Sequence, residues 1–322
     1  MADNMNAVLQ AVPATARKKI HGPKVLLLGE PGHGKTDAIR TLLEAGLKVF
    51  IIFTEPGMEV LLDKRRGKVW TCAEGLHWTY IPPVTADWKE LADAADLLNK
   101  YTYKQCTEMG GVNKQKYRSF FDWVTAHSTC KCDRCGTSFG PADKLEPYDQ
   151  WCLVDDSLSS ISIMALNLVI GSKPAVHQGE YGAAMFNLER FINKFAYDIP
   201  SMAVMMAHIE MEGDEVSGGT VNMAATLGRK LAPKIPRPFS DVIHATRDGA
   251  KFTWSTITGN MLLKTRSLPL SAGLIPSFKP IVEKWRESVK TETEYFDKNQ
   301  SNNEAELQRQ AETIGKSLAA AT

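Results

Sequence analysis

The chain has 322 residues, 43% hydrophobic and 23% charged, with a formal charge of +1. That length can bury one large core with an inserted subdomain, and the near-zero charge excludes a polycation, so nucleic-acid contacts would have to come from local basic loops. The longest apolar run, around residues 161–170, is too short to span a bilayer. No apolar signal segment opens the chain, and its six cysteines fit reduced thiols in the cytoplasm.

Residues 1–22 are small and polar, carry the basic cluster Arg17-Lys18-Lys19, and read as a flexible arm. The apolar run Val25-Leu26-Leu27-Leu28 reads as a strand. It leads into Gly29-Glu30-Pro31-Gly32-His33-Gly34-Lys35-Thr36, which fits G-x-x-x-x-G-K-[ST] at every fixed position. Such a loop turns backbone N–H groups inward around a phosphate, with Lys35 reaching the β and γ phosphates and the Thr36 hydroxyl holding Mg²⁺. Ile39, Leu42 and Leu43 then share one face of a helix whose positive N-terminal end points at the same phosphates. ATP and Mg²⁺ are the ligands this predicts.

Residues 48–53 read as a second buried strand, ending in Thr54-Glu55-Pro56-Gly57. In open α/β sheets chemistry sits beyond the carboxyl ends of strands, so Glu55 is a candidate to polarise an attacking water, against a turn or capping role. From about 60 to 150 the chain reads as an insertion. Trp88, Leu91, Ala95 and Leu98 follow helical spacing, as do Tyr117, Phe120, Phe121 and Val124, which predicts two amphipathic helices packed on the core and on each other. Cys132 and Cys135 have knuckle spacing. Because structural zinc takes four soft ligands, Cys130, Cys132 and Cys135 with His127 or Cys106 are the candidate set, against a metal-free thiol hairpin closed by Gly136.

Residues 151–154 form an apolar strand ending in Asp155-Asp156, one of which would bind Mg²⁺ and complete the ion site begun by Thr36. Residues 171–180 have loop composition, and Tyr181, Met185, Leu188, Phe191, Ile192 and Phe195 follow on a helical stripe. Another buried strand, 202–207, ends in His208, a candidate γ-phosphate sensor or else a satisfied core histidine. A polar, Gly-rich segment at 212–226 precedes a basic one with Arg229, Lys230, Lys234 and Arg237. Strand-like runs occupy 241–245, 251–255 and 260–264, the last leading into Lys264-Thr265-Arg266, whose two cations would project to one face. Beyond about 290 the polar sequence predicts a frayed helix or disorder.

The order strand, phosphate loop, helix, strand ending in Glu55, strand ending in Asp156-Ser157, helix and strand ending in His208 resembles the RecA-like core of P-loop NTPases. The run from Lys48 to Gly57, Cys132-Asp133-Arg134-x-Gly136, Asp156-Ser157-Leu158-Ser159, Ala207-His208-Ile209-Glu210 and Leu263-Lys264-Thr265-Arg266-x-Leu268-Pro269 are together similar to phage RecA-like ATPases of the Sak single-strand-annealing group, over about residues 22–288. The resemblance implies an α/β fold: a RecA-like P-loop NTPase core with a mostly parallel central sheet flanked by helices, plus a helical, Cys-containing insertion. It divides the chain into an arm (1–22), an ATPase domain (23–288, with the insertion at about 60–150) and a polar tail (289–322).

It further implies ATP hydrolysis on single-stranded DNA in phage recombination or replication, in the host cytoplasm. Self-association into a ring or filament is expected, with a single-strand-binding protein as a further partner. Asp156 rather than Asp155 becomes the Mg²⁺ aspartate, Glu55 gains weight as the water-activating carboxylate, and 171–180 and 212–226 become DNA-facing loops. Lys264 and Arg266 would reach a neighbouring subunit's nucleotide site. Lys173, Arg229, Lys230, Lys234 and Arg237 favour the DNA reading; a nucleotide-switched assembly or regulatory protein without DNA is the second class.

Overall fold

The computed structural model describes residues 20–213 and 219–319. Arg17, Lys18 and Lys19 of the expected arm, and the middle of the Gly-rich segment, lie outside them. Contacts divide the described residues into a compact unit, His21–Glu283, and a second unit that holds Ile20 and residues 284–319.

In chain order the elements are β1 (Lys24–Leu28), α1 (Arg40–Glu44), β2 (Lys48–Phe53), α2 (Glu59–Leu62), β3 (Leu76–Tyr80), α3 (Trp88–Lys100), α4 (Tyr103–Glu108), α5 (Ser119–Thr129), β4 (Trp151–Asp156), α6 (Leu158–Ile170), α7 (Gln178–Tyr197), β5 (Met202–Ala207), β6 (Ile209–Gly213), β7 (Thr220–Ala224), α8 (Gly228–Leu231), β8 (Asp241–Asp248), β9 (Lys251–Ser255) and α9 (Lys279–Ala319). Seven strands form the central sheet in the order β3-β2-β4-β5-β1-β8-β9. All neighbours are parallel except β9, which runs antiparallel to β8.

The continuous apolar runs of β1, β4 and β5 are buried along their whole length, as parallel strands covered on both faces require. Strand alternation sends Leu26, Leu28, Phe50, Ile52, Leu153, Ala203 and Met205 into one core with Trp123 of α5, Ile161 of α6 and Leu188 and Ile192 of α7. Burying each of the Leu, Ile, Phe and Met side chains contributes about 1.5–3 kcal/mol. On α1, Thr41 Oγ1 accepts a hydrogen bond from Phe278 N at 2.9 Å, just ahead of α9. The sheet order places β1 between β5 and β8, so the loop after β1 opens into a crevice at the carboxyl ends of the strands.

Within the stretch expected as an insertion at about 60–150, Leu-His-Trp-Thr-Tyr pairs with β2 as the edge strand of the central sheet. Three expectations are corrected. On α3 the stripe does not pack on the core: Trp88 is 88% exposed, Leu91 50% and Leu98 49%, and Ala95 is exposed too. That helix is held by its Asp87–Glu90 capping box and the Lys89–Asp93 and Lys100–Asp96 pairs. On α5 the buried residues include Phe120 and Trp123, with Tyr117 buried just before it, whereas Phe121 and Val124 are exposed.

The 260–264 run is no strand but two isolated bridges, Met261 with Asn222 and Lys264 with Val242. Beyond Lys264 the buried Asp241 carboxylate pulls the chain aside, accepting hydrogen bonds from Thr265 Oγ1 (2.7 Å), Arg266 N (2.9 Å) and Ser267 N (3.0 Å). The polar tail is helical, α9 running to Ala319. No helix among the described residues is long and apolar enough to cross a membrane.

Candidate active site

Residues 29–36 leave β1 between β5 and β8. Gly29 N donates to Ala207 O (3.2 Å), and a Cβ at Gly29 would lie 2.7 Å from Ala245 O, so no side chain fits there. Gly32 and Gly34 both have φ of +77°, a conformation that favours glycine, and they bend the loop into its cradle. His33 Nδ1 lies 3.0 Å from Ala245 O. The buried Lys35 Nζ donates to Gly29 O (2.7 Å) and Glu30 O (3.1 Å) and lies 3.4 Å from His208 Nδ1. Burial pushes the Lys35 pKa down, opposed by the charges of Asp156, Glu55 and Glu30.

Successive residues of β4 point to opposite faces, which separates the two aspartates. Asp156 Oδ2 accepts a hydrogen bond from Thr36 Oγ1 at 2.7 Å. Burial pushes the Asp156 pKa up, while the Thr36 hydrogen bond works against it. Asp155 faces the α5 side, where its Oδ2 lies 3.3 Å from His127 Nε2. The hydroxyl of Thr36 and the carboxylate of Asp156 converge as a pair of hard oxygen donors, the kind of ligand Mg²⁺ takes.

Glu55 is positioned by a clasp between the ends of β2 and β4. Thr54 N donates to Asp156 O (2.7 Å), and Ser157 N donates to Thr54 Oγ1 (2.9 Å). Ser157 Oγ (2.5 Å) and Ser160 Oγ (2.7 Å) then donate to Glu55 Oε1, and His208 Nε2 lies 2.9 Å from Oε2. The end of β5 is tied to the start of α6 by His208 N donating to Ser159 Oγ at 3.0 Å. His208 thus bridges Lys35 and Glu55, with Nδ1 towards the ammonium and Nε2 towards the carboxylate. Burial alone would raise the Glu55 pKa, but hydrogen bonds from His208, Ser157 and Ser160 outweigh it and hold the carboxyl at about 2. Glu55 is therefore ionised at neutral pH and can orient and polarise a water.

Two contributors have no signature in the sequence pattern. Ser160 reaches Glu55 only because α6 starts beside the end of β2. Arg247, exposed at the carboxyl end of β8, has Nη1 4.0 Å from where a Cβ on Gly32 would stand, and its guanidinium lies 5.4 Å from the Phe252 ring. The one available hint was a cation just before the Asp248-Gly249 turn.

Other expected residues lie elsewhere. Lys264 and Arg266 sit beside Asp241 at the amino end of β8, whereas residues 29–36 follow the carboxyl end of its parallel neighbour β1, so they do not join residues 29–36 of their own chain. Lys264 Nζ donates to Arg237 O at 2.9 Å, and burial followed by the charge of Arg266 pushes its pKa down. Lys173 is buried, paired with both Glu180 oxygens at 2.8 Å, and cannot meet DNA as expected. Lys234 pairs with Glu189 at 3.1 Å. Lys230 and Arg237 are exposed. The side chain of Arg229 lies outside the described residues. The expected loop at 171–180 ends where α7 begins at Gln178, and within 212–226 residues 212–213 and 220–224 belong to the antiparallel strands β6 and β7.

Of the expected zinc ligands, Cys132 and Cys135 do meet, but with Cys72 and His77. His127 turns instead to Trp123 O and Asp155. Cys130 is buried at the end of α5, its thiol pushed up to about 12 by burial, and Cys106 is buried in α4 with Sγ 3.8 Å from Leu97 O.

Residues 21–270 match the family model described as an AAA domain. No curated protein matches the chain. Among solved structures it is similar to the RadB recombinase (14% identity, 80% of this chain and 86% of that one, TM-score 0.34). It is also similar to the flagellar accessory protein FlaH from Methanocaldococcus jannaschii (13%, 79% and 83%, 0.33) and to an ATPase of the type III secretion system of pathogenic bacteria (13%, 70% and 53%, 0.32). The core is an α/β domain with a mostly parallel seven-stranded sheet flanked by helices.

Proposed function

The chain belongs to the AAA-domain family, and from that premise we propose that residues 29–36 with Asp156, Glu55 and His208 form a site that hydrolyses ATP with Mg²⁺. Membership of the AAA-domain family supports reading the protein as an ATPase. The observation that carries the assignment of residues is the continuous polar chain Lys35–His208–Glu55–Ser157, set beside the Thr36–Asp156 pair.

In this reading, backbone N–H groups of residues 32–35 and the Lys35 ammonium cradle the phosphates. Thr36 and Asp156 would hold Mg²⁺, which would supply charge neutralisation at the transferred phosphoryl group. Glu55, kept ionised and fixed by two serines, orients the attacking water through its second oxygen. His208, touching both Lys35 and Glu55, links the occupancy of the phosphate cradle to the position of that carboxylate. Arg247 lies beside the loop as a further cation for the nucleotide.

We carry single-stranded DNA as the polymer on which hydrolysis acts, supported by the Sak-group resemblance and by the exposed Lys230 and Arg237. Steady-state phosphate release should rise when single-stranded DNA is added at low salt, and the gain should fade as salt increases. Turnover indifferent to DNA, with no measurable DNA affinity in ATP, would favour the nucleotide-switched assembly reading.

Self-association completes the proposal, with Lys264 and Arg266 acting on a neighbouring copy's nucleotide. Their position away from their own phosphate loop accords with action in trans. Arg266→Ala should then bind ATP normally and hydrolyse it poorly, by about a thousandfold if it serves as an arginine finger. Mixing it with Lys35→Ala should restore part of the activity, because some interfaces pair an intact loop with an intact finger. A co-assembled mixture as inactive as its components would exclude the trans role.

A further inference from the structure

We infer that Cys72, His77, Cys132 and Cys135 form a tetrahedral zinc site that fastens the inserted region to the edge of the central sheet. One ligand atom from each lies within 4.8 Å of all the others. Cys72 Sγ is 3.9 Å from Cys132 Sγ, and Cys135 Sγ is 3.7 Å from His77 Nδ1. Tetrahedral zinc with bonds of about 2.3 Å to sulfur and 2.0–2.1 Å to nitrogen separates two sulfurs by about 3.8 Å and a sulfur from a nitrogen by about 3.6 Å. The spacing of the side chains therefore matches a Cys₃His set. Their chain order matches as well: one pair, Cys72 and His77, lies before and within β3, and the other, Cys132 and Cys135, lies in the turn after α5.

The backbone around the second pair is shaped as a knuckle. Gly136 N donates to Cys132 O at 2.9 Å, Cys132 N donates to Thr137 O at 2.8 Å, and Gly136 takes φ of +72°, which turns the chain back after Cys135. Asp133, inside the knuckle, holds it against β3. Its N donates to Trp78 O at 2.8 Å, its Oδ2 accepts from Tyr80 N at 2.8 Å, and its Oδ1 accepts from Thr79 Oγ1 at 3.1 Å. The knuckle thereby covers polar groups on the outer edge of β3, an edge that would otherwise offer itself to another chain.

Four protein ligands leave no open coordination position, so the metal is structural. It also sits away from the chemistry. His77 is at the amino end of β3, and Thr36, Glu55 and Asp156 lie beyond or at the carboxyl ends of the parallel strands. Removing the metal should loosen the inserted region without removing a nucleotide contact.

The test is elemental analysis of the full chain, expressed without added zinc and dialysed, together with cobalt(II) reconstitution of metal-stripped protein. About one equivalent of zinc is expected, with thiolate-to-cobalt charge transfer and tetrahedral d–d absorption after exchange. Cys72→Ser and Cys132→Ser should each lower zinc retention, while Cys130→Ser and Cys106→Ser should leave it at about one equivalent. Wild-type protein holding under about a tenth of an equivalent and giving no cobalt–thiolate band would overturn the site, and so would a Cys72–Cys132 disulfide found in freshly purified protein. Loss of metal in Cys130→Ser with retention in Cys72→Ser would overturn this ligand set. If Cys72→Ser does not fold, the wild-type metal content and cobalt spectrum still decide.

Discussion

Glu55→Gln is expected to bind ATP as wild type does and to hydrolyse it at least about a hundredfold more slowly. Glutamine keeps the shape, so Ser157 and Ser160 still have an oxygen to donate to, and the clasp between Thr54 and Asp156 is backbone and hydroxyl chemistry that the change does not touch. What disappears is the negative charge facing the water and the charge-assisted bond with His208. The loss should therefore appear in turnover and leave binding alone. Unchanged turnover would reduce Glu55 to a turn residue.

The same variant gives a second reading through stability. The Glu55 carboxyl has an ordinary value of 4.5 and lies at about 2 in the fold, so between those values the unfolded chain takes up a proton that the folded chain refuses. Its contribution is complete above about pH 4.5 and is lost as the pH falls towards 2. Glu55→Gln has no such proton to take up. Its melting temperature should fall less steeply than that of wild type across this window; parallel acid limbs would show that the carboxyl is not held down by the serine and histidine hydrogen bonds.

Much of the site could be read from the sequence because its parts are either contiguous or mark the ends of apolar runs. Residues 29–36 are fixed by local spacing, and Glu55, Asp156 and His208 each follow a buried strand, which in a parallel sheet brings them to one edge. The residues that escaped depend on which elements become neighbours. Ser160 meets Glu55 across more than a hundred residues, and Cys72 and His77 meet Cys132 only because the knuckle folds over β3. Cys130 sits two residues from Cys132, yet the end of α5 turns it into the core.

Periodicity has a similar blind spot. It identifies an amphipathic helix such as α3, with Trp88 and Leu91 on one side, without saying what covers that side. Charge counting misjudged Lys173 for a related reason: the loop's cation is consumed inside the fold by Glu180.

The proposed nucleotide site depends most on Lys35. Its ammonium is buried against the carbonyl oxygens of Gly29 and Glu30, which places a cation inside the loop where the proposal puts the phosphates. Alanine removes that charge and adds no bulk, and the glycine conformations and the Gly29–Ala207 hydrogen bond that shape the loop remain. A hydrogen bond to a charged group contributes about 1.5–3 kcal/mol, so affinity should fall by up to about a hundredfold. The decisive measurement is a calorimetric titration of Mg·ATP into wild-type and Lys35→Ala proteins whose thermal unfolding coincides. Binding is expected in the wild type, with a loss of affinity of this size in the variant, whereas equal affinity in two equally folded proteins would rule out Lys35 as a phosphate ligand.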